Sequence, residues 1–537
     1  MNRLAQLDHK YIWHPFTQMR DWLKREPIVI VEAKGAVLWD ARGREYLDAN
    51  SSIWTNLHGH NHPKINASIQ KQLKKVAHTS SLGFANEPVS LLAEKLVKAA
   101  NPTGVAQASR LRVRTASLPL DQDTRMLDEP AGWMPALRKV FFSDDGSTAM
   151  EVALKLAYEY ARRIRHLQRP KFLSLDHAYH GDTVGAMALG HIDQFHKAWS
   201  GLLFKTDKVM APYCYRCPFN RARPERTDAR EYRKCNWECI GKLEQKFETR
   251  RKAGNPYAAF VFEPLMQGAA GMIPQPPGWL RRAAEIARGH GAQLIADEVM
   301  TGFGRTGSAP AGEKVSDHAP QSSSPRRVQS SRFKVQGSRF EIYGERCCIQ
   351  PPSLFACHKE GVHPDFLALA KCLTGGYLPM AATLTTQPVF DAFLGEYHES
   401  KTFYHGHSYT GNQLGAAAAL ASLEILQSSA SNRARMKLEH TFHQELQTLW
   451  SLPNVGDIRR VGLIAGVELV KNWRTRAPFP FRDRIGIRVC EAMAKCGVLT
   501  RPIGNVIVLM PPFCTTADQM RTIVSALRQA ISLLLDA

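Results

Sequence analysis

The chain has 537 residues, 44% hydrophobic and 22% charged, with a formal net charge of +21, so it reads as a globular protein with enough apolar content for a large core. Its Lys and Arg residues are spread along the chain without aromatic interleaving, which argues against a nucleic-acid-binding surface and for solvated charge. Eleven cysteines are too sparse for a disulfide scaffold, and no stretch of some 18 uninterrupted apolar residues offers a membrane span.

In chain order, MNRLAQLDHKYIWHPF carries neither an apolar targeting core nor a small-residue cleavage pattern, so the expected location is cytoplasmic. KVFFSDDG is followed by STAMEVALKLAYEYARRI; KFLSLDHA, AAFVFEP, WLRRAAEIARGHG and AQLIADEV come next. Strand-length apolar runs alternating with amphipathic helical patterns predict an α/β fold with a mainly parallel sheet covered on both faces, and ligands at the strands' C-terminal ends. Two stretches interrupt this pattern. Val105 to about Leu137 has balanced charge and no sustained apolar period, and Ala309 to Ser353 is rich in Ser, Pro and Arg; both read as insertions, the second as largely disordered. After residue 410 come an Ala-rich helix, GNQLGAAAALASLEILQSS, a helix from about Asn432 to Leu449, and short strands at Leu463–Leu469 and Ile507–Met510. The expected organisation is an N-terminal segment (1–70), a large domain (71–410) and a smaller α+β domain (411–537).

Several residues in this frame carry chemistry. Asp297, in QLIADEV, ends an apolar strand, and a buried carboxylate is costly unless it meets a cation such as a protonated pyridine nitrogen. Lys371, in PDFLALAKCLTGG, stands at the end of another apolar run, where desolvation lowers an amine's pKa and frees it to attack an aldehyde. The plainer alternatives are a surface acid and a snorkelling lysine. In SDDGSTAMEVALKLA, Gly146, Ser147 and Thr148 open a helix whose free N–H groups suit a phosphate, or they are an ordinary cap. Tyr179 and His180 precede a glycine turn, and the tyrosine could stack on a planar ring or sit in the core. GFGRTG (302–307) matches the dinucleotide fingerprint, but a Ser/Pro-rich stretch rather than a helix follows it, so its glycines read as turn residues. Cys214, Cys217, Cys235 and Cys239 have a spacing that zinc could use, although the Gly-rich knuckles of a zinc ribbon are missing; four free thiols, with no metal, is the expectation.

The motifs SDDGSTAMEVALKLA, AYHGDT, FVFEPLMQGAAGM, LIADEVMTGFGRTG, LALAKCLTGG and HGHSYTGNQLGAAAA occur in the order seen in class III pyridoxal-phosphate (PLP)-dependent aminotransferases, which the chain resembles over nearly its whole length outside the insertions. IWHPFTQM, SSIWTNLHGHNHP and TRPIGNVIVLMPP are similar to the branch that forms 7,8-diaminononanoate in biotin biosynthesis. The resemblance implies the PLP-dependent transferase fold (fold type I), PLP as cofactor and a homodimer. It also implies 8-amino-7-oxononanoate as amino acceptor. By the same resemblance Lys371 would attach the cofactor, Asp297 would pair with its ring nitrogen, and Gly146 and Ser147 would hold its phosphate, with His407 and Ser408 reaching it from the other subunit. Tyr179 would lie against cofactor and substrate, Gly406 in the substrate site and Glu263 nearby, while Arg501 would pair with the substrate carboxylate. Ile53 and Trp54 stand where some members have Trp-Trp, and Phe16 lacks the hydroxyl of the WHPYT pattern. Because these positions line the family's substrate pocket, both S-adenosylmethionine and lysine stay open as amino donor.

Overall fold

The protein is described from a computed structural model, which covers residues 1–101, 136–307 and 353–535. Both insertions expected from the sequence lie outside the described residues except at their last positions. Leu137, read as the end of the first, is instead the buried first residue of a strand and pairs with Thr386. The interruption by Arg138 and Lys139 obscured its place in the apolar alternation.

Seven strands form the central sheet: β1 (Leu137–Ser143), β2 (Lys171–Leu175), β3 (Asp207–Val209), β4 (Tyr257–Phe262), β5 (Gln293–Asp297), β6 (Phe366–Leu369) and β7 (Ala381–Thr386). Their spatial order is β3-β2-β4-β5-β6-β7-β1. All neighbours are parallel except β7, which runs antiparallel to both β6 and β1. Alternate residues feed two different cores. Phe260, Phe262, Leu294, Ala296, Leu367 and Leu369 pack with helices Glu238–Lys252 and Trp279–Gly289. Ala259, Val261, Ile295, Phe366 and Ala368 pack against helix Gly146–Arg163. With both faces buried, the strands read as continuous apolar runs rather than alternating ones.

Helix Gly146–Arg163 starts where it does because the Asp145 carboxylate accepts from the Thr148 N–H (2.8 Å) and the Thr148 hydroxyl accepts from the Asp145 N–H (3.1 Å). This capping box satisfies donors the first helical turn cannot. The helix's buried stripe includes Ala149, Met150, Val152, Ala153, Leu156 and Ala157.

Strands Ile30–Lys34, Val37–Asp40 and Glu45–Asp48 join Val498–Leu499 in a second sheet, tying the N-terminal region to the C-terminal one. The first three are not among the strands expected from the apolar periodicity. Helix Gln413–Gln427 packs on helices Pro63–Leu73 and Glu87–Ala100. Helix Ser429–Gln447 begins three residues before the expected Asn432, because the Ser428 hydroxyl caps it by accepting from Ser431 N–H (3.2 Å). The C-terminal sheet is built on Val455–Val461, Ile464–Asn472 and Val506–Leu509, and its middle strand is longer than the sequence predicts. Among the described residues no helix is long and apolar enough to cross a membrane.

Candidate active site

The chemistry-bearing residues meet at the C-terminal end of the parallel strands. β5 ends at Asp297 and β6 two residues before Lys371, and the two strands are neighbours with Asp297 opposite Ala368. The register therefore delivers carboxylate and amine to one place, a cavity of about 470 Å³ that both residues line. That volume suits a cofactor-sized ligand. Burial pushes the Lys371 pKa below the usual lysine value, while the nearby Asp297 carboxylate opposes the shift. Lys371 also has φ +27°, a backbone setting that L-residues seldom adopt, and its Nζ lies 5.4 Å from the centre of the Trp54 ring.

Asp297, 6% exposed, accepts from His180 Nδ1–H (2.8 Å) through Oδ2 and from Val299 N–H (3.1 Å) through Oδ1. His180 is buried, and its Nε2 has no partner among the described residues. A carboxylate lining the cavity, held by His180 on one side, has the chemistry to pair with a protonated ring nitrogen on the other. Glu263 lies deeper. It accepts from Tyr179 N–H (3.3 Å) and Gly268 N–H (2.8 Å), and burial pushes its carboxyl up to about 7.

The phosphate end of such a cofactor would meet Gly146 and Ser147, whose N–H groups fall in the helix's first turn and have no intrahelical acceptor. A Cβ on Gly146 would sit 2.7 Å from Val299 Cγ1, so only glycine allows this close approach. Ser147 Oγ accepts from Asp182 N–H (3.1 Å), and a side chain on Gly181 would collide with that hydroxyl. Asp144 and Asp145 also line the mouth. Asp145 is committed to its cap, and Asp144 lies 3.7 Å from His407 Nε2. Lysine, buried carboxylate and helix N-terminus around one cavity fit the aldehyde, ring nitrogen and phosphate of PLP.

Tyr179 lines the cavity and donates its hydroxyl to Asp182 Oδ2 (2.8 Å). Its ring meets Phe195 edge-on at 6.0 Å, and Phe195 meets Phe16 at 5.4 Å, so the exposed Phe16 reaches the site through a relay of aromatic rings. Trp54 forms part of the cavity wall at the end of an unusual backbone segment. Ser51, Ser52, Ile53 and Trp54 have φ of 46°, 50°, 76° and 68°. Thr55 N–H donates to Ser51 C=O (2.9 Å), making this a turn of left-handed helix. Such a conformation costs roughly 1–2 kcal/mol per L-residue and persists only where surrounding contacts hold it.

Other sequence-predicted residues lie elsewhere. Ile53 is 40% exposed and does not line the cavity. Gly406, His407 and Ser408 are also outside the lining: His407 faces Asp144, and Ser408 C=O accepts from His78 Nε2 (2.7 Å). Arg501 is exposed beside strand Pro502–Ile503 and does not line it either. Conversely, Val299, Met300 and Tyr377–Met380 line the cavity without having been singled out, although the Gly375-Gly376 turn after Lys371 marks where the last of these must return. GFGRTG forms turns, with Gly304 and Gly307 both at φ +79°. Cys214, Cys217, Cys235 and Cys239 converge on one small void, yet no three His, Cys, Asp or Glu side chains among the described residues are grouped to hold a metal ion.

Comparison with known proteins agrees with this geometry. A family model described as "Aminotransferase class-III" matches residues 19–320 and 352–531. An adenosylmethionine-8-amino-7-oxononanoate aminotransferase of Geobacter sulfurreducens is 40% identical over 531 residues, 98% of this chain and 97% of that protein. The crystal structure of the Methanocaldococcus jannaschii protein of the same name superimposes with a TM-score of 0.77 at 35% identity, covering 99% of this chain and 98% of that one. A PLP-bound amine transaminase from an uncultivated Pseudomonas species gives a TM-score of 0.76 at 29% identity, covering 97% and 98% of the two chains.

Proposed function

Because the chain belongs to the class III aminotransferases, we propose that it transfers an amino group to 8-amino-7-oxononanoate, giving 7,8-diaminononanoate, with S-adenosylmethionine or lysine as donor, in the cytoplasm. The observation that carries the reading is the meeting of Lys371 and Asp297 at the ends of adjacent parallel strands in one cavity. The match of 40% identity over 98% of the chain to a protein of that name supports the choice of acceptor.

When bound, PLP supplies an aldehyde carbon for amine attachment and a conjugated ring that accepts electron density. Lys371 would provide the amine that holds the group and a base at Nζ for proton transfer; its burial favours the uncharged form that both tasks need. Asp297 holds the ring nitrogen protonated, and His180 fixes the carboxylate's orientation. Gly146 and Ser147 would bind the cofactor's phosphate and Tyr179 would lie against the cofactor, while Trp54 walls the cavity and Phe16 flanks it through Phe195. Arg501 takes the substrate carboxylate.

We also propose a homodimer in which Gly406, His407 and Ser408 serve the partner's cavity, since they do not line their own. Tyr404 and Tyr409 of the same loop are 75% and 65% exposed, as a surface awaiting a second copy would be. A fully active monomer in sedimentation would refute this part.

The test is diaminononanoate formation by the PLP-loaded enzyme with each donor, beside Lys371→Ala of unchanged circular dichroism. Product from the wild type alone supports the assignment. Turnover by Lys371→Ala, or transamination only with an ω-amino acid or diamine as donor and no product from 8-amino-7-oxononanoate, refutes it.

A further inference from the structure

We propose that Asp48 is a positioning residue of this enzyme: its carboxylate holds the left-handed turn at 51–54 that sets Trp54 against the cavity beside Lys371. The inference rests on the aminotransferase reading of the cavity and extends it to residues that do not touch the cavity at all.

Asp48 ends strand Glu45–Asp48 and is 3% exposed. Its Oδ1 accepts from Asn50 N–H (3.1 Å) and Ser52 N–H (3.2 Å), and its Oδ2 from the Ser52 hydroxyl (3.2 Å) and His60 Nε2 (3.0 Å). Three of these four bonds go to the entry of the turn. A carboxylate accepts at four lone-pair sites and never donates, so it suits a chain reversal that turns successive donors inward. The rest of the turn is pinned as well. Ser51 Oγ donates to Met510 C=O (2.7 Å), and Trp54 Nε1–H donates to Asn50 Oδ1 (2.9 Å). Cys372, next to Lys371, donates Sγ–H to Trp54 C=O (3.2 Å). The indole is thereby fixed between Lys371 and the cluster of Met266, Met272 and Met300.

Nothing in the local sequence favours this conformation, since Ser-Ser-Ile-Trp lacks glycine and includes a β-branched residue. Without the Asp48 acceptors the segment relaxes towards right-handed or extended backbone, and such a change of φ swings Trp54 out of the wall. Asp48 therefore governs the fit of a long substrate rather than the reaction at Lys371.

The experiment measures kcat and KM for 8-amino-7-oxononanoate with the PLP-loaded wild type, Asp48→Asn, and Asp48→Asn combined with Ser52→Gly. The amide replaces one carboxylate oxygen by an NH2 group, two donors where Oδ2 accepted from the Ser52 hydroxyl and His60 Nε2. The expected result is a fall in kcat/KM of about tenfold or more, carried mostly by KM, with PLP occupancy unchanged. Ser52→Gly should recover at least part of it, because glycine takes positive φ without the Cβ penalty. A side chain that only stabilised the core would not be rescued in this way. Wild-type KM in Asp48→Asn, or no recovery in the double variant, overturns the inference. If Asp48→Asn does not fold, Asn50→Ala, which removes the indole's acceptor, must raise KM in the same way, and an unchanged KM there also overturns it. A crystal structure of Asp48→Asn with residues 51–54 still at φ between 46° and 76° would overturn it whichever acceptor the enzyme uses. A wild type inactive towards this acceptor counts against the substrate assignment, and the crystal structure still decides the role of Asp48.

Discussion

Replacing Gly146 by alanine sets two opposite forces against each other. Helix propensity alone favours alanine, by up to about 1 kcal/mol inside a helix. The added Cβ, however, would lie 2.7 Å from Val299 Cγ1 and 3.1 Å from Val299 Cγ2. Val299 cannot easily yield, being 8% exposed, packed in the core on the helix side of the sheet, and hydrogen-bonded through its N–H to Asp297. Overpacking of this kind costs about 1–3 kcal/mol. In the loaded enzyme the helix start must stay close to the cofactor, so the cost falls mainly on binding, and at 1.4 kcal/mol per decade it weakens PLP by about 5- to 140-fold. Absorbance titration of the apoenzyme with PLP measures this directly, and thermal unfolding of the apoenzyme reports the part that destabilises the fold. Gly146→Ala combined with Val299→Ala should restore much of the affinity, because the two methyl groups in the way are gone. Wild-type affinity in Gly146→Ala, or no recovery in the double variant, would refute the close-approach argument.

Asp297→Asn should retain some PLP, since the amide oxygen can still accept from Val299 N–H while its NH2 group faces His180 Nδ1, which can accept in the other tautomer, but lose about 100-fold or more in turnover at matched occupancy; near-normal turnover would assign Asp297 another role. Glu263 titrates near 7 against its ordinary 4.5 because of burial, so the folded state holds its proton more tightly than the unfolded one. Its contribution to stability is then fully present below 4.5 and lost as pH rises to about 7, by at most about 3 kcal/mol. Chemical denaturation across that window should show a shallower decline in Glu263→Gln than in the wild type, with Glu298 and Asp457, which burial raises in the same direction, still contributing. Joining Ser308 to Leu354 should leave diaminononanoate formation within about threefold at matched PLP, because loop-closure cost changes only logarithmically with length. The flanks already meet, with Gly304 N–H donating to Leu354 C=O (3.0 Å) and the Phe303 and Phe355 rings 5.7 Å apart. A large loss with the fold intact would show that the segment serves the site.

Local sequence determined the elements whose causes are local. The apolar runs ending in Asp297 and Lys371, the helix opened at Gly146 to Thr148, and the turns of GFGRTG are all legible because strand burial, helix initiation and glycine conformation depend on near neighbours. The motif order carried the family resemblance as well. Residues far apart in the chain were placed only by the tertiary structure. His180 bonds Asp297 across 117 positions because strand order brings β2 and β5 to the same sheet end. Gly146 is irreplaceable only through Val299, which arrives in the turn after β5. The left-handed turn at 51–54 runs against its own residues' preferences, and its partners Met510 and Cys372 come from distant segments. Arg501 and the Gly406–Ser408 loop lie outside this chain's cavity for a related reason: a motif names a residue's chemistry, whereas the packing of sheets and helices sets which cavity it faces.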